Sequence, residues 1–202
     1  MISLSCPSCG GSIEGVSPHI RSIDCQYCGS WLRLNNQLWQ ASTGKKVALN
    51  APSFLRIGMQ GSLPDGIRYK ITGRIRLQYE NDSWDEWWLE DNQGNGFWLE
   101  EDDGVYYRHT NPQQIKLHNT NSAVGKRLTV NKDITLFITE KFEATIVGRE
   151  GFLPTEPETS ASITYLDGVC NGVEYSLEME GNKAHLSQAE IFDINAIRWE
   201  NQ

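Results

Sequence analysis

The sequence predicts a mostly β protein, with an N-terminal zinc ribbon followed by two tandem small β-meander units that are packed together or barrel-like. Three observations predict it. Tyr69, Ile71, Gly73, Ile75, Leu77 and Tyr79 alternate with Lys70, Thr72, Arg74, Arg76 and Gln78, the period-two pattern of a strand with one apolar face. Two Cys-x-x-Cys knuckles stand ahead of that strand. The strand pattern then returns in the second half, where Val124-Gly125-Lys126-Arg127-Leu128 echoes Ile57-Gly58, and Phe142 to Arg149 echoes Tyr69 to Arg74.

The ribbon is assigned to residues 1–40. Cys6-Pro7-Ser8-Cys9-Gly10 and Cys25-Gln26-Tyr27-Cys28-Gly29 are separated by fifteen residues between Cys9 and Cys25. Each knuckle aims two sulfurs at one point, and the glycine after it permits the positive φ that turns backbone N–H groups toward thiolates. Four soft ligands fill the tetrahedron that Zn2+ accepts and leave no open position for water, so the predicted zinc is structural. Disulfides and a redox role for the motifs are disfavoured, the first by the expected compartment and the second because nothing around either motif resembles a βαβ unit. His19, between the knuckles, is expected in a loop, since cysteines already fill the ligand positions. Trp31, Leu32 and Leu34 alternate as a closing strand. Cys170 has no partner knuckle and is expected to be a small buried or half-buried residue.

Residues 41–53 read as a linker. Its Thr43-Gly44-Lys45-Lys46 lacks the remaining glycines and the strand-to-helix setting of a phosphate loop. The first meander unit is assigned to 54–120 and the second to 121–202. Pro64-Asp65-Gly66, Glu80 to Ser83 and Asp91 to Gly96 supply the turns of the first unit. In the second, Val173, Tyr175, Leu177 and Met179 alternate with Glu174, Ser176, Glu178 and Glu180, which are expected to face out. Residues 154–162 read as an exposed loop, and the tail from Ala184 to Trp199 as a strand or a short helix.

Trp84, Trp87, Trp88, Phe97, Trp98, Tyr106 and Tyr107 crowd into 24 residues. Trp84 and Trp88 share one parity and Trp87 has the other, so they do not share one face of a single strand. One reading has both faces of the hairpin covered. The other leaves Trp84, Trp87, Trp88, Trp98 and Tyr106 as candidates for a partner-binding surface.

Gly58 to Gly61, Tyr69-x-Ile71-x-Gly73-x-Ile75, Trp84-Asp85-Glu86-Trp87-x-Leu89 and Phe97-Trp98-Leu99-x-Glu101 resemble the bacterial family labelled domain of unknown function 4178 (DUF4178). Glu150-Gly151-Phe152-Leu153-Pro154, Ile163-x-Tyr165-x-Asp167-Gly168 and Val173-x-Tyr175-x-Leu177 fit it too, so that the resemblance covers residues 54 to 195. N-terminal zinc ribbons are a common attachment in that family. The resemblance implies accessory proteins encoded near membrane-stress genes of the phage-shock and ESCRT-like type, or near polyamine-synthase-like genes. It implies no established activity.

Composition narrows the function classes. The net charge is −8, and residues 1–50 carry four basic against two acidic side chains, leaving 14 against 24 in the rest. The body is therefore a poor ligand for phosphates, and four thiolates on one zinc ion would cancel the ribbon's surplus. Stacking on single-stranded bases needs a basic groove, which Asp85, Glu86, Glu90, Asp91, Glu100, Glu101, Asp102 and Asp103 argue against. No stretch approaches the roughly 18 apolar residues that cross a bilayer. The opening Met1-Ile2-Ser3-Leu4-Ser5 has neither the basic nor the apolar region of an export signal, which predicts a cytoplasmic location.

For chemistry, Asp91, Gln93, Asn95, Gly96 and Asp102 partly match a calcium loop, but Phe97-Trp98-Leu99 reads as strand, which favours a plain turn. His109, His118 and His185 have no motif context and are expected on the surface; no catalytic constellation emerges. The leading expectation is a non-enzymatic cytoplasmic adaptor with a protein partner, for which the family resemblance suggests a membrane-associated stress protein or an ATPase. A second is nucleic-acid binding through Arg21, Arg33, Lys45 and Lys46 on the ribbon. A third gives the carboxylates a small cation, a polyamine or a reaction.

Overall fold

A computed structural model describes residues 2–42, 49, 52–117, 122–180 and 183–200. Among them there is no α-helix, and the helical content is a single 3-10 turn at Ile194–Ala196. The ribbon contributes β1 (Ile2–Ser5), β2 (Ser12–Val16), β3 (Ser22–Asp24), β4 (Trp31–Asn35) and β5 (Leu38–Ala41). The first knuckle is the turn between β1 and β2, and the second is the turn between β3 and β4.

After the short β6 (Gln60–Ser62), β7 (Arg68–Tyr79), β8 (Asp82–Asp91), β9 (Gly96–Asp102) and β10 (Val105–Ile115) pair in sequence as the first meander. After β11 (Arg127–Thr129), β12 (Thr135–Leu153), β13 (Ser162–Cys170), β14 (Val173–Glu180) and β15 (Lys183–Ile191) make the second. The meanders close on each other: β10 pairs with β15, and β12 pairs with β7. The outcome is one barrel of eight strands in the order β7-β8-β9-β10-β15-β14-β13-β12, which leaves these long strands without open edges. The tail supplies β15, the 3-10 turn and β16 (Arg198–Trp199), which pairs with β6.

At the β7–β12 seam, Gly73 lies opposite Gly151. Gly151 has φ +81°, and a Cβ there would strike the Thr72 carbonyl oxygen, so the crossing requires glycine. The far end of β12 continues into the ribbon, where Phe152 and Leu153 pair with Ile23 and Ser22.

The alternation from Tyr69 to Tyr79 is interrupted. A bulge between Ile71 and Gly73 inserts an extra residue, and one inserted residue exchanges the faces of everything beyond it. Ile71 therefore packs outside the barrel with Trp87, Leu89 and Leu99, whereas Ile75 and Leu77 point inside. Arg74, on the polar side of the predicted alternation, is buried and grips Asp85 through two hydrogen bonds of 2.8 Å.

Three clusters form the core. The interior cluster joins Ile75, Leu77, Trp84, Trp88, Ala144, Ile146 and Tyr165 to the ribbon's Val16, Ile20, Ile23, Trp31 and Leu32. The ribbon is thus built into the barrel core. A second cluster lies on the outer face of β8 and β9, beneath Leu55, Met59, Leu63 and Ile197. The third lies outside β12–β15, where Leu166, Leu177 and Leu186 are covered by Leu128 and Val130.

Candidate metal centre and barrel interior

The knuckles arrange backbone before they arrange sulfur. Gly10 N–H donates to the Cys6 carbonyl at 2.8 Å, and Gly29 N–H to the Cys25 carbonyl at 2.8 Å. Both glycines have the positive φ expected of them, +76° and +69°. Ser8 N–H reaches the Cys6 Sγ at 3.4 Å, the kind of contact that stabilises a thiolate. Cys6, Cys9, Cys25 and Cys28 bring all four sulfurs within 4.8 Å of one another, with Cys6–Cys28 and Cys9–Cys25 each 3.8 Å apart. That is far beyond a disulfide bond length of about 2.05 Å, and all four thiols are free. The group can hold a metal ion. His19 is an exposed loop residue, and Cys170 is half-buried against the outer cluster of β12–β15.

The hairpin aromatics are buried or half-buried, on both sides of the barrel wall. Trp87 is 1% exposed, and Trp84 and Trp88 are buried. The two parities in the sequence correspond to two sides of the barrel wall. Trp84 packs inside, edge-on to Phe142 and Tyr165, while Trp87 packs outside, with the Arg74 guanidinium 4.6 Å above its ring. Trp87 Nε1 donates to Glu101 Oε2 at 2.9 Å. Trp98 and Tyr106 are half-buried; Trp98 packs against Trp88, and the Tyr106 hydroxyl donates to Glu101 Oε1 at 3.0 Å. Both faces of this hairpin are covered at Trp84, Trp87 and Trp88, so these three do not form an exposed surface.

Most hairpin carboxylates are engaged. Asp85 takes Arg74 and also Arg76, the latter at 2.6 Å. Glu90 accepts the Ser17 hydroxyl of the ribbon at 3.0 Å. Asp91 Oδ1 accepts the backbone N–H groups of Gln93 and Asn95 at 2.7 and 2.9 Å, so the partial calcium match is a turn capped by its own aspartate. Asp102 lies at the other end of β9, where it forms a carboxylate cluster with the exposed Asp82 and Asp103.

The barrel interior differs from the expectation in two places. His109 was expected on the surface. It is 9% exposed and bridges two strands, with Nδ1 2.9 Å from Ser187 Oγ and Nε2 3.0 Å from Glu100 Oε2. Burial opposes its charged form, but the hydrogen bond to and the field of Glu100 outweigh that and push it up to about 9. Ser176 and Glu178 were expected to face out. Ser176 is buried, and Glu178 sits across from Tyr165 in the inward-facing row, because Leu177 and Leu186 turn outward under the loop that carries Leu128 and Val130. The alternation in β14 holds, but its apolar side is the outer one.

These inward residues meet across the barrel. The Tyr165 hydroxyl on β13 donates to Glu86 Oε1 on β8 at 3.2 Å, a contact that spans the interior because the two strands are not neighbours. Burial, and after it the charge of Glu100, raises the Glu86 carboxyl above its ordinary range. Burial, then the charge of Glu86, pushes Glu178 up to about 8. Asp167 is raised to about 6, chiefly by burial. No short-range motif announces this group. Its signal was the polar residue at every second position of β14, opposite apolar ones that also needed cover.

Of the ribbon's cations, Arg33 is matched by Glu156 and Glu158 at 3.1 and 2.8 Å, and Arg21 is exposed. Lys45, Lys46 and His118 lie outside the described residues. His185 is exposed as expected. No helix is long and apolar enough to cross a membrane among the described residues.

Fold and site together define a closed β-barrel with a ribbon packed into its core whose four clustered cysteines could hold a metal ion. The model of a family described as Domain of unknown function (DUF4178) matches residues 63–192, and the chain belongs to that family. No curated protein and no solved structure matched the chain.

Proposed function

We propose that the chain is a non-enzymatic cytoplasmic adaptor whose ribbon, locked by a structural Zn2+, is the surface that meets a protein partner. The observation that carries this is the contrast in exposure between the two candidate surfaces. Trp84, Trp87 and Trp88 of the hairpin are buried, whereas Tyr27 in the second knuckle is 63% exposed and Leu38 at the start of β5 is 65% exposed. Large apolar side chains held out on the ribbon suit an interface anchor. Zinc is supported by the 3.8 Å sulfur separations, since a tetrahedron with Zn–S distances of about 2.3 Å has edges of about 3.8 Å. That the partner belongs to a membrane-associated stress or remodelling system rests on the family resemblance alone.

The test is capture of partners from the native host by the tagged chain, in soluble and membrane fractions, against the double substitution Tyr27→Ser and Leu38→Ser. The expected result is a protein band lost in the variant, with an unchanged melting temperature and unchanged zinc content. Equal capture by both proteins sinks the ribbon surface. Captured material that disappears on nuclease treatment instead supports nucleic-acid binding.

A further inference from the structure

Between the ribbon and the barrel lies a cleft of about 410 Å3. Its ribbon side carries His19 and Arg21, its barrel side carries Gly94, Asn95 and Gly96 from the β8–β9 connection, and Trp88 of β8 lines it as well. The volume falls within the range of small-molecule sites, about 300–1,000 Å3. Gly94 has φ +85°, and a Cβ there would lie 3.0 Å from Cδ2 of His19, so glycine lets the turn approach the ribbon loop. Hydrogen bonds fix the two sides to each other. The Ser17 hydroxyl donates to Glu90 at 3.0 Å, the Arg21 N–H donates to the Leu153 carbonyl at 2.8 Å, and the Arg21 carbonyl accepts the Leu34 N–H at 2.8 Å.

Arg21 brings a positive charge to this cleft without a counter-ion. Arg33, on the same ribbon, is matched by Glu156 and Glu158, whereas Arg21 forms no ion pair among the described residues. Its Nη1 donates to the Pro18 and Ile20 carbonyls at 2.8 and 3.1 Å, which leaves Nε and Nη2 without a protein acceptor among the described residues. The acids at the adjoining end of β8 are engaged. Glu90 accepts the Ser17 hydroxyl and, at 3.4 Å, the Trp88 indole; Asp91 accepts the backbone N–H groups of Gln93 and Asn95 and, at 3.2 Å, the Asn95 amide. The Nε–Nη2 edge of a guanidinium matches two oxygens of one carboxylate or phosphate. Because backbone contacts already hold the Arg21 group in place, little ordering entropy opposes such a contact. His19 adds a ring N–H donor on the same side, and Trp88 with the two glycines offers apolar surface to a flat organic body.

We propose that this cleft binds a small organic anion, with its carboxylate or phosphate oxygens on Arg21 and His19 and its body against Trp88. The site shares no residue with the docking face of Tyr27 and Leu38, and neither reading depends on the other. A ligand seated here joins ribbon to barrel and stabilises the folded chain.

An NMR titration of the backbone amides of the zinc-loaded full chain tests this with benzoate, phenyl phosphate and the uncharged benzyl alcohol as probes. At least one of the two anions is expected to move the Gly94 and Gly96 signals saturably, and the tighter of the two tells carboxylate from phosphate. Benzyl alcohol should bind far more weakly. Arg21→Gln should weaken the anion about tenfold or more, and Arg33→Gln, at a guanidinium that is already paired, should leave it unchanged. No saturable shift with either anion, equal affinity for benzyl alcohol, an affinity unaltered in Arg21→Gln, or one lost in Arg33→Gln overturns the site. If Arg21→Gln fails to fold, His19→Glu decides, since it sets a carboxylate on the exposed loop beside Arg21: weakened anion binding supports the site, and unchanged binding overturns it.

Discussion

The two walls of the barrel interior are made from the same kind of alternating strand and have opposite character. The wall of β12, β7 and β8 presents Ile75, Leu77, Trp84, Ala144 and Ile146 with Glu86 among them, and the ribbon's Trp31 and Leu32 pack into the same apolar cluster. The facing wall of β9, β10, β15 and β14 presents Glu100, His109, Ser187, Ser176 and Glu178. On that side Leu177 and Leu186 are directed outward and are buried under β11 and its flanking loops. A strand can therefore keep strict alternation while its apolar side faces away from the barrel axis, provided a second layer covers it.

That contrast can be broken most severely at the ribbon. Cys6→Ser removes one of the four clustered thiols, and zinc held there should be lost with it. Because Ile23 and Trp31 share a core with Ile75 and Leu77, the barrel's own unfolding midpoint should fall as well. Zinc content and a denaturant titration followed by tryptophan fluorescence measure both. A barrel transition that stays put would mean the ribbon is a passive attachment.

Next in size is the apolar wall itself. Trp84→Ala empties a site packed against both Phe142 and Tyr165 and should cost about 3–5 kcal/mol in urea unfolding. A loss below about 1 kcal/mol would mean that the surrounding rings collapse into the space.

The polar wall should respond less and with pH. His109→Gln removes the cation facing Glu100 and should cost about 1–3 kcal/mol at neutral pH. The His109 pKa is raised to about 9 from 6.5, so its contribution is complete below 6.5 and is lost as pH rises through about 9. The stability difference between the two proteins should shrink over that interval as Glu86, Glu100, Asp167 and Glu178 lose the opposing charge. A difference that does not change with pH would show that the ring acts by packing alone.

The sequence was most legible where chemistry is local. Each knuckle sets its sulfurs through a turn of a few residues, and the glycines that follow have the predicted φ, so Cys6, Cys9, Cys25 and Cys28 were readable before any fold was known. The strands and most turns were readable for the same reason, since alternation and turn residues act over a few positions. The interior acid group was not, because Glu86, His109, Asp167 and Glu178 come from four strands and nothing near each of them in sequence marks the others.

By itself, then, the sequence determined a β-rich chain, two meanders and a clustered set of four cysteines that could hold a metal ion, because these follow from dihedral preferences and spacings within short segments. Only the tertiary structure decided that the meanders close into one barrel, that a bulge after Ile71 exchanges the faces of β7, and that the ribbon belongs to the barrel core. It also decided which side of β14 is inside. Period two states which residues share a face; the pairing of β7 with β12 and of β10 with β15, far apart in the chain, states what that face meets.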